Sequence, residues 1–110
     1  SFPKQIFKLT NLQFLFLNNT NTFYLTKHFE RFDKLEVLVV ENNKLEKIPF
    51  EIYKAKNLRI LALRNNKLTN LPETISELQN LTILDLRGNA IDKDRIEEIK
   101  ALLPGCEVKF

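Results

Sequence analysis

The residues that could carry chemistry in this chain are few. Its 110 residues include one histidine, His28, one cysteine, Cys106, and two glycines, Gly88 and Gly105. A lone histidine and a lone cysteine cannot complete a zinc site, which usually takes four side chains. Two separate glycines cannot form the glycine-rich loop that holds a phosphate group. We therefore expect no catalytic centre, no metal and no cofactor in this chain.

Acidic residues cluster once, at Asp92, Asp94, Glu97 and Glu98. The cluster invites comparison with a calcium site, but it lacks the ligand spacing and the central glycine of an EF-hand loop. We therefore interpret these acids as the solvated side of a helix.

His28 and Cys106 each have a structural interpretation and an alternative. We interpret His28 as a surface or half-buried residue; the alternative is a metal shared between two copies of the chain, with Glu30 nearby. We interpret Cys106 as a small core residue, and an intermolecular disulfide is the alternative. A single cysteine forms no internal disulfide, which fits a reducing compartment or a bacterial protein that folds without bridges.

The amino-acid composition is that of one folded domain, and it limits the kinds of partner that the protein can bind. Hydrophobic residues make up 44% of the chain, which argues against disorder. The 17 basic and 14 acidic residues are interspersed, and the net charge of +3 is not gathered into the dense basic stripe of a nucleic-acid-binding protein. No apolar run is long enough to predict a transmembrane helix. The composition thus predicts no nucleic-acid partner and no membrane-spanning helix.

A 23-residue repeat runs through the sequence and must position any binding surface. Residues 58–80 follow the pattern L-x-x-L-x-L-x-x-N-x-L, and residues 12–34 and 35–57 repeat it. Residues 81–91 begin a last copy, and residues 1–11 match the second half of a copy. In 12–34 the pattern is degenerate, because threonines replace its asparagine, a leucine and its proline, at Thr20, Thr22 and Thr26. A repeat of this length predicts a stacked solenoid in which 1–110 is a single domain.

Each L-x-L core predicts a short strand whose side chains alternate between two faces. The inward positions are Leu15, Leu17, Leu38, Val40, Leu61, Leu63, Leu84 and Leu86. Asn43, Asn66 and Asn89 end the strands, where their amides can pair backbone groups of adjacent repeats. The second half of each repeat predicts a short helical or 3-10 turn along the back, with Pro49 and Pro72 at the first helical position.

Residues 92–110 predict a C-terminal cap. Asp92 can cap a helix, the apolar residues from Ile96 to Leu103 lie on one helical face, and Pro104-Gly105 ends it. Cys106, Val108 and Phe110 then alternate with Glu107 and Lys109 as a closing strand with the first three inward. We expect the chain to end naturally near Phe110.

These motifs resemble the leucine-rich-repeat family, in its 23-residue class with the second half L-P-x-x-I-x-x-L. The resemblance covers residues 3–110 and extends to small bacterial proteins, including those of spirochaetes, which have an ending like IEEIKALLPGCEVKF. It implies an α/β solenoid with a parallel sheet on its concave face and short helical or 3-10 turns on its convex face. It also implies a non-catalytic protein that binds another protein through the concave face. The crossover rule for parallel strands makes the solenoid right-handed.

The outward strand residues form three rows, which we call the concave face. The candidate partner-binding residues are Phe14, Val37, Ile60 and Ile83 in the first row; Phe16, Val39, Ala62 and Asp85 in the second; and Glu41, Arg64 and Arg87, beside Asn18, in the third. Two rows are mostly apolar, which suggests a partner, although β-branched residues also simply suit strands.

The expected function is protein binding by a bacterial secreted or surface-associated protein, with host contact as one role. An intracellular scaffold, or the substrate-recruiting domain of a larger signalling or effector protein, is the alternative. Five short strands offer a face of about 400 Å², while an ordinary interface buries about 800 Å² per partner. The face would therefore need its rims, its N-terminal edge, further repeats or a second copy of the chain. A homodimer through the concave face or the N-terminal edge remains open.

Overall fold

The computed structural model describes residues 11–110, in which five parallel strands form one sheet. The strands are β1 (Phe14–Phe16), β2 (Val37–Val39), β3 (Ile60–Ala62), β4 (Ile83–Asp85) and β5 (Glu107–Lys109). They lie side by side in chain order, and each is parallel to its neighbours. The predicted parallel sheet is confirmed. The partial repeat predicted for residues 1–11 lies almost wholly outside the described residues.

The strand register follows the repeat without a slip. Phe14 lies beside Val37, which lies beside Ile60, which in turn lies beside Ile83. Backbone hydrogen bonds continue past the ends of the strands, where Asn42 N donates to Arg64 O at 3.0 Å and Asn65 N donates to Arg87 O at 2.8 Å. The third row of the concave face is therefore held by the same ladder as the first two rows.

A continuous apolar core lies behind the sheet, as the inward positions predict. Every predicted inward residue is buried, from Leu15 to Leu86. The second halves of the repeats close the core from the other side, with Phe29, Phe32, Ile52, Ile75 and Leu78 almost fully hidden from solvent. Because each repeat packs on the next, the core extends along the stack rather than around a centre.

Three 3-10 helices form the back of the stack within residues 11–110: Phe29–Phe32, Phe50–Lys54 and Glu73–Glu77. The prediction for the prolines is wrong by one position, since Pro49 and Pro72 precede their helices with extended ψ angles of 149° and 151°. In the first repeat Thr26 replaces proline, and its hydroxyl accepts a hydrogen bond from His28 N at 3.0 Å. That helix accordingly begins later within its repeat.

Helix α1 (Lys93–Leu102) replaces the 3-10 turn at the C-terminal end. As predicted, Asp92 is its N-cap and accepts a hydrogen bond from Asp94 N, and Ile96 and Ile99 are buried against the core. Arg95 connects α1 to the preceding repeat, because its guanidinium donates to Leu71 O at 3.0 Å and to a Glu73 carboxylate oxygen at 2.7 Å. The sequence pattern did not predict this link.

Strand β5 closes the sheet, with Val108 buried and Cys106 packed partly buried against the core. The expectation that Phe110 points inward is wrong, since 61% of its surface is exposed. The strand ends at Lys109, so the alternation of side chains no longer governs the next residue. The Phe110 ring instead lies 5.3 Å from Lys100 Nζ.

Candidate protein-binding face

The concave face is held in place by asparagines that bridge neighbouring repeats, as predicted; Asn43 and Asn66 are buried and Asn89 is half-buried. Asn66 Oδ1 accepts a hydrogen bond from Leu45 N at 3.0 Å, and its Nδ2 donates to Val40 O at 2.8 Å and to Leu63 O at 2.9 Å. Asn43 and Asn89 make equivalent bonds one repeat away on either side. Each amide satisfies backbone groups that would otherwise be buried without partners.

Threonines complete this arrangement in the degenerate first repeat. The hydroxyls of Thr20 and Thr22 lie 2.7 Å apart, and both backbone N–H groups donate to Asn43 Oδ1 at 2.9 Å. Thr22 is fully buried at the position where the next two repeats have leucine and the last has isoleucine. The three threonines that break the sequence pattern are thus compatible with the fold.

A left-handed residue precedes each bridging position and turns the chain away from the sheet. Asn19, Asn42 and Asn65 have φ angles of 58°, 56° and 59°, and Gly88 has a φ of 73°. Asparagine and glycine tolerate this conformation better than other residues. A Cβ atom on Gly88 would lie only 2.0 Å from Asn65 Oδ1. The sequence signal was present as N-N-N-G at this position of successive repeats, but the sequence reasoning missed it.

The structure brings the predicted residues together on one surface, but it exposes them unequally. At the N-terminal end Phe14 and Phe16 are 55% and 62% exposed, whereas Val37 and Ala62 in the middle are 9% and 8% exposed. Val39, Ile60 and Ile83 are half-buried. Neighbouring strands shield the small side chains, so the accessible apolar surface is concentrated on β1.

Two more aromatic side chains are exposed in the same repeat, just beyond the turn that follows β1. Phe23 and Tyr24 are both at least half exposed, and Lys44 Nζ lies 5.3 Å from the centroid of the Phe23 ring. The sequence reasoning did not single out either residue. Their signal was the aromatic character of the degenerate repeat.

The C-terminal end of the concave face carries an internal ion pair. Arg87 contacts the Asp85 carboxylate through two bonds, Nε to Oδ1 at 2.9 Å and Nη2 to Oδ2 at 2.7 Å. These hydrogen bonds lower the pKa of Asp85, and the positive charge of Lys109 lowers it further. The same contact raises the pKa of Arg87. Asp85 is 5% exposed, so it supports the face rather than offering surface to a partner.

Arg64 lies in the same row as Arg87 but differs from it in its contacts. Its Nε is buried and has no hydrogen-bond partner, and no carboxylate among residues 11–110 lies within ion-pair distance of its guanidinium. Glu41 is the neighbour of Arg64 in the row, one strand away. Its negative charge also raises the pKa of Arg87. The middle of the third row thus holds a cation that the fold does not neutralise.

A second concave feature is a polar groove of about 510 Å³ along the rim where the chain enters each strand. Its lining repeats with the solenoid and comprises Gln13, Lys34, Glu36, Asn57, Arg59, Asn80 and Thr82. Most of these side chains are engaged with each other or with the backbone; Arg59 pairs with Glu36 at 3.3 Å. The groove is a polar rim beside the concave face.

His28 and Cys106, the residues whose side chains could bind a metal or react, do not form a shared site among the described residues. His28 Nδ1 lies 3.5 Å from a Glu30 carboxylate oxygen, and residues 11–110 contain no group of three metal-ligating side chains. Burial and the nearby charge of Glu107 raise the pKa of the Cys106 thiol, which makes it less reactive. No helix among the described residues is long and apolar enough to cross a membrane.

The 23-residue repeat and the stacked parallel sheet define a class of solenoid protein, and comparison with known proteins places the chain in the same class. A family model described as leucine rich repeat matches residues 33–91, which is just over half of the chain. The chain therefore belongs to the leucine-rich-repeat family.

A particular relative has a solved structure, the Leptospira interrogans LRR protein LIC12759. It is 40% identical to this chain, superposes with a TM-score of 0.95 and is matched over 100% of this chain. The chain spans only 28% of that protein's length. Comparison with curated proteins found no match. The resemblance to spirochaete leucine-rich-repeat proteins is thus confirmed.

Proposed function

We propose that this chain is a non-catalytic module that binds a protein partner through its concave face. The observation that carries the proposal is the exposure of Phe14 and Phe16, two large aromatic side chains on a sheet face that nothing in residues 11–110 covers. Aromatic side chains are enriched where proteins bind one another, and they supply much of the binding energy.

The predicted contact residues divide into two roles under this proposal. Those with accessible surface would contact the partner: Phe14, Phe16, Val39, Glu41, Ile60, Arg64, Ile83 and Arg87. Val37, Ala62 and Asp85 are buried by their neighbours and would fix the shape of the surface. The strand ladder holds the backbone beneath both groups, so the face is preorganised and little ordering cost accompanies binding.

The size of the face sets a condition on the partner. At about 400 Å² the three rows supply only half of an ordinary interface. The exposed rings of Phe23 and Tyr24 offer further aromatic surface in the same repeat as β1. A partner would therefore have to contact residues beyond the three rows to bury the area of an ordinary complex.

The setting we propose is a bacterial secreted or surface-associated protein, and a role in contact with a host would fit it. The likeness to a Leptospira leucine-rich-repeat protein supports a bacterial origin. An intracellular scaffold, or the recruiting domain of a larger protein, is the alternative, since the relative is much longer than this chain. Self-association of two copies through the same face is a further form of protein binding.

The test replaces the exposed aromatic residues and compares them with a matched aromatic on the other side. Phe14→Ser/Phe16→Ser is compared with Phe50→Ser, whose ring is equally exposed on the back of the stack. Immobilised wild type and variants are used to capture proteins from extracts, and light scattering measures the mass of the free chain. We expect the Phe50 variant to behave as wild type and the double variant to lose captured proteins and any self-association. Equal capture and equal mass for all three would overturn the concave face as the binding surface.

A further inference from the structure

Of the two arginines in the third row, Arg64 is the one with no carboxylate of residues 11–110 within ion-pair distance. We propose that Arg64 binds a carboxylate of the partner, so the partner presents an Asp or Glu side chain near an apolar residue. This inference rests on the proposed function, because it names the chemistry that the concave face recognises.

The comparison with Arg87 carries the first step. Both arginines follow a strand at the same repeat position, yet Arg87 donates two short hydrogen bonds to Asp85, whereas Arg64 Nε has no partner among residues 11–110. The position equivalent to Asp85 in the Arg64 repeat is Ala62, which cannot supply a carboxylate. At Arg87 the face therefore has room for a carboxylate that pairs with the arginine. At Arg64 the equivalent residue has no carboxylate, so a partner would have to supply it.

The buried Nε of Arg64 carries the second step. A donor that is hidden from water without a partner is costly, and such groups in native proteins require an explanation. An incoming carboxylate can accept two parallel hydrogen bonds from a guanidinium. Because Nε itself is shielded, the terminal Nη atoms of the half-buried Arg64 would donate these bonds. The carboxylate would then lie beside a positive charge that has no carboxylate of residues 11–110 within ion-pair distance, and arginines are frequent binding hot spots.

The local charges favour a carboxylate over a phosphate group. Arg87 is already neutralised by Asp85, and Glu41 lies in the row on the other side of Arg64. A dianionic phosphate would meet one available cation and two nearby carboxylates. A single negative charge matches the single available guanidinium.

The strand spacing sets where the acid lies in the partner. Arg64 is two strands from Phe16 and one row further along, which places their backbones about 12 Å apart. In an extended segment this distance spans about four residues. The partner segment should thus carry an acidic residue about four positions from the apolar residue that contacts Phe14 and Phe16.

The test selects peptides from a displayed random-peptide library against wild type. The peptides are then measured against Arg64→Gln, Arg64→Lys, Phe14→Ser/Phe16→Ser and the control Arg59→Gln, which removes a rim arginine. We expect the selected peptides to share an acidic residue at the stated spacing. Arg64→Gln should weaken their binding at least about tenfold, Arg64→Lys should weaken it less, and Arg59→Gln should leave it unchanged. Replacing the acid of the peptide by its amide should lower affinity for wild type but not for Arg64→Gln.

The outcomes separate this inference from the proposed function. Peptides that depend on Phe14 and Phe16 but carry no acid, or bind Arg64→Gln as well as wild type, overturn the role of Arg64 and leave the binding face in place. Selected peptides that are indifferent to the aromatic pair, or a selection without enrichment, overturn both. Urea unfolding of each variant verifies that loss of binding does not reflect loss of the fold.

Discussion

At the scale of single residues, equivalent positions in the repeat have different roles because their neighbours differ. Phe16, Val39, Ala62 and Asp85 occupy one row, yet Phe16 is well exposed and Asp85 is buried and paired. The sequence was sufficient to place these side chains on one face. Their exposure could not be predicted, because it depends on how far each side chain extends past those of the adjacent strands.

The Asp85–Arg87 pair predicts a stability difference that depends on pH. Because the pKa of folded Asp85 is lowered, the pair stabilises the protein above the unfolded pKa of about 4, and the contribution is lost as pH falls through the folded pKa. Asp85→Asn should reduce the free energy of unfolding at pH 7, and the loss should be small because the solvent that surrounds Arg87 screens the pair.

Urea unfolding at pH 7 and pH 2.5, the latter an approximate value below the pKa of an ordinary carboxyl, provides the measurement. The difference between wild type and Asp85→Asn should shrink at the acidic pH. Glu46→Gln, at an exposed acid, controls for the loss of one negative charge. A difference that stays constant or grows on acidification would contradict the assignment.

At the scale of elements, the repeat pattern predicted the strands and the 3-10 turns, and the capping residue and helical spacing after Asp92 predicted helix α1. It failed where local geometry departs from a simple period. Phe110 follows the last ladder position, so the alternation that correctly buries Val108 does not extend to it. The left-handed turns at Asn65 and Gly88 were not predicted, because adjacent repeats use two different residue types at this position and the repeat pattern therefore leaves it unspecified.

Gly88 predicts a large effect from a small substitution. In Gly88→Ala the new Cβ would meet Asn65 Oδ1 at 2.0 Å, and the φ of 73° is unfavourable for alanine. We expect a loss of about 1–3 kcal/mol in unfolding free energy. Thermal and urea unfolding of the purified variant measure it.

Two further variants separate the steric cause from the conformational one. Gly105→Ala is the control, because no atom lies within 4 Å of its added Cβ, and its stability should remain close to that of wild type. Adding Asn65→Gly to Gly88→Ala removes the opposing side chain and should recover part of the loss. If Gly105→Ala is as damaging as Gly88→Ala, the turn is not the cause.

At the scale of the whole molecule, the protein is a stack whose repeats hold each other in place. Contacts between repeats come from the buried leucines, the bridging asparagines and Arg95. The sequence predicted the leucines and asparagines because both recur with the period. Arg95 occurs once, in the cap, and no period could reveal its contacts with the preceding repeat.

Replacing Asn66 tests whether a local loss of hydrogen bonds destabilises the neighbouring repeats first. Asn66→Ala leaves Leu45 N and Val40 O without their side-chain partner, which should cost about 2–3 kcal/mol. Hydrogen exchange should accelerate first at amides on either side of the junction between residues 35–57 and 58–80.

Asn80→Ala provides the comparison, since Asn80 is exposed and donates one hydrogen bond, to Lys56 O at 3.2 Å. It should change stability by less than about 0.5 kcal/mol. If exchange in Asn66→Ala accelerates evenly over all described repeats, the chain unfolds as one unit and the asparagine does not act at a junction.

The unbroken register has a consequence for how such a protein can change during evolution. Because every strand meets its copy residue for residue, gain or loss of one whole repeat would preserve the core and the bridging bonds. If that repeat lies between β1 and β3, the change would also shift the aromatic end of the concave face relative to Arg64 by one strand spacing, about 4.8 Å. Recombination between repeats could thus alter the distance between two recognition points in fixed steps, without substituting either of the residues that define them.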